Sequence, residues 1–274
     1  AYRAYQMANE KVPLAKGTAF PLISCLLSLN KVSDARLVEV VILSRNSPET
    51  ATRVMQSLRH YQLDISRMAF SGGTSLSPYI KAFSVDLFLS KDVQDVQKVI
   101  DSRACAAACL LAPPSGFETE EDRVKIAFDA DAVIFSEDSE LIYKQEGMHA
   151  FHQHELANEH KPMQEGPFAS LLIKLSHLQK ELTKSGNQNL LRLAIVTARN
   201  APAHLRVIHT LNKWGVSVDE AYFLGGISKE NVLKALAPHI FFDDQEVHLQ
   251  RSSKIVPSGK VPYSSLSPLS PKDK

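Results

Sequence analysis

Val124-Lys125-Ile126-Ala127-Phe128-Asp129-Ala130-Asp131-Ala132-Val133-Ile134-Phe135 is an apolar run interrupted by two aspartates. Val124–Phe128 reads as a strand buried on both faces, as in a parallel sheet. Asp129 then stands at its carboxyl end and Asp131 on the loop just beyond, where open α/β sheets bind their ligands. Ala132–Phe135 continues the apolar pattern around that strand end. Two more short runs end in polar groups: Leu193–Val196 before Thr197, and Ile240-Phe241-Phe242 before Asp243-Asp244. Between them, Phe168–Leu182 and Pro202–Trp214 carry apolar residues at helical spacing, the second with Pro near its first turn. Ser228-Lys229-Glu230 opens a further helix. Working upstream, the order repeats: Val38–Leu43, a helix from Pro48, Leu87–Leu89, a helix near Val93–Ile100, and Ala106–Leu111. Strands alternating with helices predict an α/β fold with a mostly parallel sheet flanked by helices.

The chain has 274 residues, 44% hydrophobic and 22% charged, which excludes bulk disorder. Thirty-one Lys+Arg against 30 Asp+Glu leave a formal charge of +1, so no basic field draws it to nucleic acid. No apolar run reaches the ~20 residues of a spanning helix. Cys25, Cys105 and Cys109 are too few for a disulfide framework and suit a reducing compartment.

Ala8-Asn9-Glu10, Pro13 and Gly17 recur as Ala157-Asn158-Glu159, Pro162 and Gly166, at a constant difference of 149. Arg53-Val54, Leu58, Phe70 and Gly72-Gly73 recur as Arg206-Val207, Leu211, Phe223 and Gly225-Gly226, at a difference of 153. Chance likeness of two helix–turn units is the plain alternative, but two stretches keeping their order favour an internal duplication. The expected units are residues 1–115 and 122–263, with a disordered Ser/Pro/Lys tail at 264–274. The sequence opens at Ala1, without Met, in mid-helix pattern. A residue 149 before Asp129 would precede Ala1, so the first unit is expected to be truncated at its N-terminus.

Asp129, Asp131, Asp243 and Asp244 offer hard oxygen ligands, Thr197 a hydroxyl and Lys229 an ammonium, each at a strand end or helix start. Together they make a phosphate-handling site. Taken singly, an aspartate after a strand is a turn former or cap, and Lys229 a solvated charge. At the difference of 153, Thr197 corresponds to Ser44, Lys229 to Leu76, and Asp243-Asp244 to Ser90-Lys91. Only the second unit keeps the chemistry. Asp86 could serve the first unit as a displaced acid, though a strand-flanking aspartate is more often structural.

Asp129-x-Asp131-x-Val133, Thr197, Lys229 and Asp243-Asp244 resemble the four motifs of the haloacid dehalogenase superfamily. The stretch from Ala127 to Glu137, Lys161-Pro162 with Gly166-Pro167, Val196-Thr197-Ala198-Arg199, and His239 to Gln245 resemble the type I cytosolic 5′-nucleotidases. The likeness covers about Ala1 to Tyr263, and Ala130 stands where glycine is expected. It implies a Rossmannoid sheet of the haloacid dehalogenase type, with a cap insertion at about 137–190. It implies a cytoplasmic, Mg²⁺-dependent hydrolase of nucleoside 5′-monophosphates. Asp129 would be nucleophile and Asp131 general acid and base; Thr197 and Lys229 would bind phosphate. Asp129, the Asp131 carbonyl, Asp243 and Asp244 would hold the metal. Rival readings are a phosphatase of another monoester, such as a sugar phosphate, and a nucleotide-binding protein without turnover. A homo-oligomer stays open.

His149, His152, His154 and His160 read as solvated or pocket-lining residues, since His152 and His154 at i,i+2 do not share a helix face, and His154 and His160 correspond to Tyr5 and Lys11. Cys105 and Cys109 read as buried small residues, the glycine pairs as turns, and Trp214 as core. Arg199 could touch phosphate or sit in a surface salt bridge.

Overall fold

The computed structural model describes residues 2–120 and 122–271. Its strands are β1 (Val41–Ser44), β2 (Arg67–Phe70), β3 (Leu87–Ser90), β4 (Ala106–Leu110), β5 (Val124–Phe128), β6 (Leu191–Thr197), β7 (Glu220–Phe223), β8 (Ile240–Asp243) and β9 (Ser258–Lys260). The helices are α1 (Tyr2–Ala8), α2 (Phe20–Ser28), α3 (Ala51–His60), α4 (Ser77–Ala82), α5 (Val93–Asp101), α6 (Asp138–Ala157), α7 (Ala169–Lys184), α8 (His204–Trp214), α9 (Glu230–Leu236) and α10 (Glu246–Ser252).

Seven strands form one sheet in the order β3-β4-β9-β8-β5-β6-β7, and β1 and β2 pair separately. Every neighbouring pair runs parallel except β4 and β9. The α/β fold with a mostly parallel, helix-flanked sheet is as expected. β5 lies between β6 and β8, and its Val124, Ile126, Ala127 and Phe128 are buried. Phe128, Phe168 and Phe242 pack with ring centroids 4.7–6.3 Å apart beneath the carboxyl end of β5. That apolar floor leaves the polar groups above it little room to move.

The strand pairs β1/β2 and β6/β7 have the same register: Val41↔Arg67 to Ser44↔Phe70, and Ala194↔Glu220 to Thr197↔Phe223. Each second strand ends in a glycine turn bonded back to the chain after the first. Gly72 and Gly73 donate to the Asn46 and Arg45 carbonyls, Gly225 and Gly226 to those of Arg199 and Ala198. β6 continues through β5 into the large sheet, whereas β1 pairs only with β2 and β3 only with β4.

Several local expectations shift. Val133–Ile134 belongs to a helical turn over Ala130–Ile134 rather than an extended run, with Ala132 in the left-handed region at φ 56°. A single bridge to Glu165 holds Phe135. The Pro48 segment begins as a short 3₁₀ turn before α3. Cys105 and Cys109 are half-buried, not buried. Trp214 packs on the core, 5.4 Å from the Phe135 ring. Ser265 and Ser267, in the segment read as a disordered tail, hydrogen-bond Asp101 and Glu137. The last three residues, 272–274, lie outside the described residues. No described helix is long and apolar enough to cross a membrane.

Candidate active site

The Asp129 N–H still donates to the Phe242 carbonyl across the sheet, at 2.8 Å, so the strand pairing itself sets the height of this carboxylate. Its Oδ1 accepts from the Ala130 N–H at 2.7 Å. The left-handed Ala132 then reverses the chain, and Phe135 closes the turn on the Ala130 carbonyl. Gly166 packs against this turn. Its N–H donates to the Ile134 carbonyl, and a Cβ there would overlap the Phe135 carbonyl and lie 2.7 Å from the Val133 oxygen.

Lys229, at the N-terminus of α9, places its Nζ 2.9 Å from Asp129 Oδ2 and 2.7 Å from Asp243 Oδ2. All three are buried. Burial pushes the Asp129 carboxyl up to about 6 against the pull of Lys229, and the Asp243 charge adds to the rise. Burial opposes ionisation of Asp243 too, but there Lys229 and His248 win and its pKa falls. Burial works against the Lys229 ammonium, yet the two carboxylates hold its pKa above the usual lysine value. The arrangement keeps a cation fixed between two acids from different strands.

Asp244 points elsewhere. The Tyr263 hydroxyl meets its Oδ2 and also lies 3.0 Å from Glu140 Oε2, while Asp244 Oδ1 is buried with no hydrogen-bond partner. Burial, then the charges of Glu140, Asp129 and Asp243, hold the Asp244 carboxyl well above the carboxylate range. A buried oxygen left bare beside other acids is costly unless a cation compensates it. Ligand atoms of Asp129, Asp243 and His248 also lie within 4.8 Å of one another. This oxygen-rich donor set fits a hard divalent cation.

Thr197 is buried at the end of β6, with the Arg199 N–H 3.3 Å from its Oγ1. The Arg199 side chain is only 2% exposed, so it is no surface salt bridge. Its Nε and Nη2 donate to Asp131 Oδ2 and Oδ1 at 2.7 and 2.6 Å. Its Nη1 reaches Glu155 of α6 and the Ala203 carbonyl. Arg206 of α8 donates from Nη1 to Glu155 at 2.8 Å and from Nε to the Lys161 carbonyl at 3.0 Å. The carboxylates raise the Arg199 pKa although burial opposes it.

Asp129, Lys229 and Asp243 thus meet directly, Asp131 is drawn to Arg199, and Asp244 faces Tyr263. A cleft lined by Ala198, Gly226, Ser228, Lys229, His248 and Arg251 opens beside Lys229. His248, Tyr263, Glu140, Glu155 and Arg206 were not expected here. His248 follows Asp244 by one helical turn, which is a usable signal, and Arg206 falls within the repeated Arg-Val pair. Tyr263 and Glu140 give none. Among the histidines, His152 bonds Asn200 and His154 meets Glu155. His160 stacks on His209, and both approach Glu159 closely enough to form a second candidate cation group.

Residues 1–267 match the 5′-nucleotidase family. Among curated proteins, cytosolic 5′-nucleotidase 1B of Homo sapiens is 33% identical over 263 residues, covering 93% of this chain and 43% of that protein. The chain therefore spans less than half the length of that relative. No solved structure gives a significant match.

Proposed function

The chain belongs to the 5′-nucleotidase family, and from that premise we propose that it hydrolyses nucleoside 5′-monophosphates to nucleoside and phosphate with Mg²⁺. The observation that carries this reading is the Asp129–Lys229–Asp243 cluster at the carboxyl end of the sheet, beside the bare Asp244 oxygen. Asp129 and Asp244, with the Asp131 main-chain carbonyl, would hold Mg²⁺, which when bound offsets the charge of carboxylates and phosphate. Asp243, already shared by Lys229, His248 and the Gln245 N–H, supports that group.

The steps follow from the residue types. An Asp129 oxygen attacks phosphorus and the bond to the ribose 5′-oxygen breaks, leaving an aspartyl-phosphate. Asp131 gives its proton to the departing 5′-oxygen. The Asp131 carboxylate then takes a proton from water, whose oxygen attacks phosphorus, and phosphate leaves Asp129. Lys229 and Thr197 hold the phosphoryl oxygens as charge redistributes. A cytoplasmic location is part of the same reading.

We also read the chain as two copies of one unit, residues 1–115 and 122–263, with the catalytic groups only in the second. The equal registers and matching glycine turns support this. The decisive experiment is phosphate release from a panel of nucleoside 5′-monophosphates and sugar phosphates, with Mg²⁺ and with chelator. Release is expected from the nucleotides, only with Mg²⁺, and not from Asp129→Asn. Mg²⁺-dependent nucleotide binding by the unsubstituted chain without release would overturn the hydrolase reading.

A further inference from the structure

Asp131 and the α6 helix are linked by four buried or nearly buried charges. Arg199 is shared by Asp131 and Glu155, and Glu155 by Arg199 and Arg206. Ser139 Oγ donates to the same Glu155 oxygen that Arg206 holds, at 2.9 Å. Such a network is a poor way to gain stability, because desolvation cancels most of its attraction. Its retention asks for another reason.

The first half of the chain supplies an internal control. Arg53 of α3 donates from Nε to the Val12 carbonyl at 2.9 Å and from Nη1 to Gln6 Oε1 at 3.1 Å. Those bonds repeat what Arg206 makes to Lys161 and Glu155. The helix hydroxyls agree too: Ser57 and Thr210 donate to the Arg53 and Arg206 carbonyls and accept from the Leu14 and Met163 N–H groups. The arginine anchor is therefore common to both halves. What differs is that Gln6 stands in place of Glu155, and Asn46 in place of Arg199. The two charges occur only in the half that carries Asp131.

We infer that Arg199 and Glu155 are positioning residues for Asp131: Glu155 fixes the guanidinium from the α6 side, and the guanidinium aims the Asp131 carboxylate. A fork bonded to both oxygens sets the plane and direction of a carboxylate, which a single bond does not. The Ala203 carbonyl and Glu155 hold the third nitrogen, so the fork cannot swing. This rests on the reading of Asp131 as the group that protonates the 5′-oxygen.

The test compares two leaving groups on one nucleoside. Adenosine 5′-monophosphate needs its 5′-oxygen protonated; the analogue with bridging 5′-sulfur departs as a thiolate and does not. Glu155→Gln is the substitution the first half already carries, so the Arg206 bond has a partner that can accept it. With Mg²⁺ saturating, kcat on the oxygen ester is expected to fall roughly 10- to 100-fold, with KM within about twofold. The sulfur analogue should lose no more than about threefold. Arg199→Lys, which keeps the charge and loses the fork, should give the same split. Gln6→Ala should change neither rate, and thermal melts report whether each variant is folded. Equal losses on both substrates in folded variants, or no loss on either, would overturn the inference. A wild-type chain inactive on both would overturn the nucleotidase reading first, and the inference with it.

Discussion

Lys229 and the two acids around it put opposing demands on one site. In the proposed reaction Asp129 attacks phosphorus and has to be ionised, yet burial favours its proton, and the folded Asp129 pKa is about 6 against an ordinary 3.8. For an acid the sign is clear. Between about pH 4 and 6 the folded state keeps a proton that the unfolded chain has shed, so this group removes stability as pH rises. In chelator, Asp129→Asn should gain on the wild type across that window, by on the order of 3 kcal/mol at pH 8 relative to pH 4. Chemical denaturation of both proteins at each pH checks it; parallel curves would refute the assignment. Asp244 is expected to behave alike, with its bare Oδ1 as the focus. Asp244→Asn should weaken Mg²⁺ binding by roughly tenfold or more. Calorimetric titration reads that directly, and the variant's melting temperature should rise less on adding Mg²⁺.

At the scale of elements, the turn over Ala130–Ile134 is the part that aims Asp131, and Gly166 is what lets it lie flat. Gly166→Ala should destabilise the chain by about 2–3 kcal/mol, since backbone oxygens on two sides cannot yield. Gly17→Ala, at the corresponding place in the first half, meets nothing within 4 Å and should cost under about 0.5 kcal/mol. Urea midpoints of the pair decide it. The strands ending at Phe128, Thr197 and Asp243 were legible in the sequence because a doubly buried strand must be apolar and its polar successor stands out. The turn was not legible: Val133, Ile134 and Phe135 are just as apolar, but they are buried beneath a loop instead of within a sheet. Nor was the reach of Arg199 to Asp131 and Glu155, 68 and 44 residues away, because side-chain pairing across elements leaves no period in the chain. β2 went unread as a strand, being four residues long with an exposed Arg67 at its start.

For the whole molecule, the sheet divides the chain unequally. The seven-stranded sheet buries β5 between two neighbours and stacks aromatic rings beneath it, whereas β1 and β2 pair only with each other, with Leu43 packed against the cluster that holds Ile80 and Phe88. Two strands alone are marginal in water. Hydrogen exchange should therefore report two levels of protection, with Ile126, Ala127 and Ile195 exchanging only through global opening and Ile42 and Leu43 orders of magnitude faster. Uniform protection across both sheets would refute this. The solitary β1–β2 ribbon also gives the protein a weak seam. A protease challenging the native chain at low concentration would find its first cut in the coil leading into β1, around the exposed residues 34–36, long before the stretch that carries Asp129 loosened. Ageing in storage or in a cell would then begin in the half without Asp129, and under the proposed reaction cleaved molecules should go on releasing phosphate until the break spread to the larger sheet.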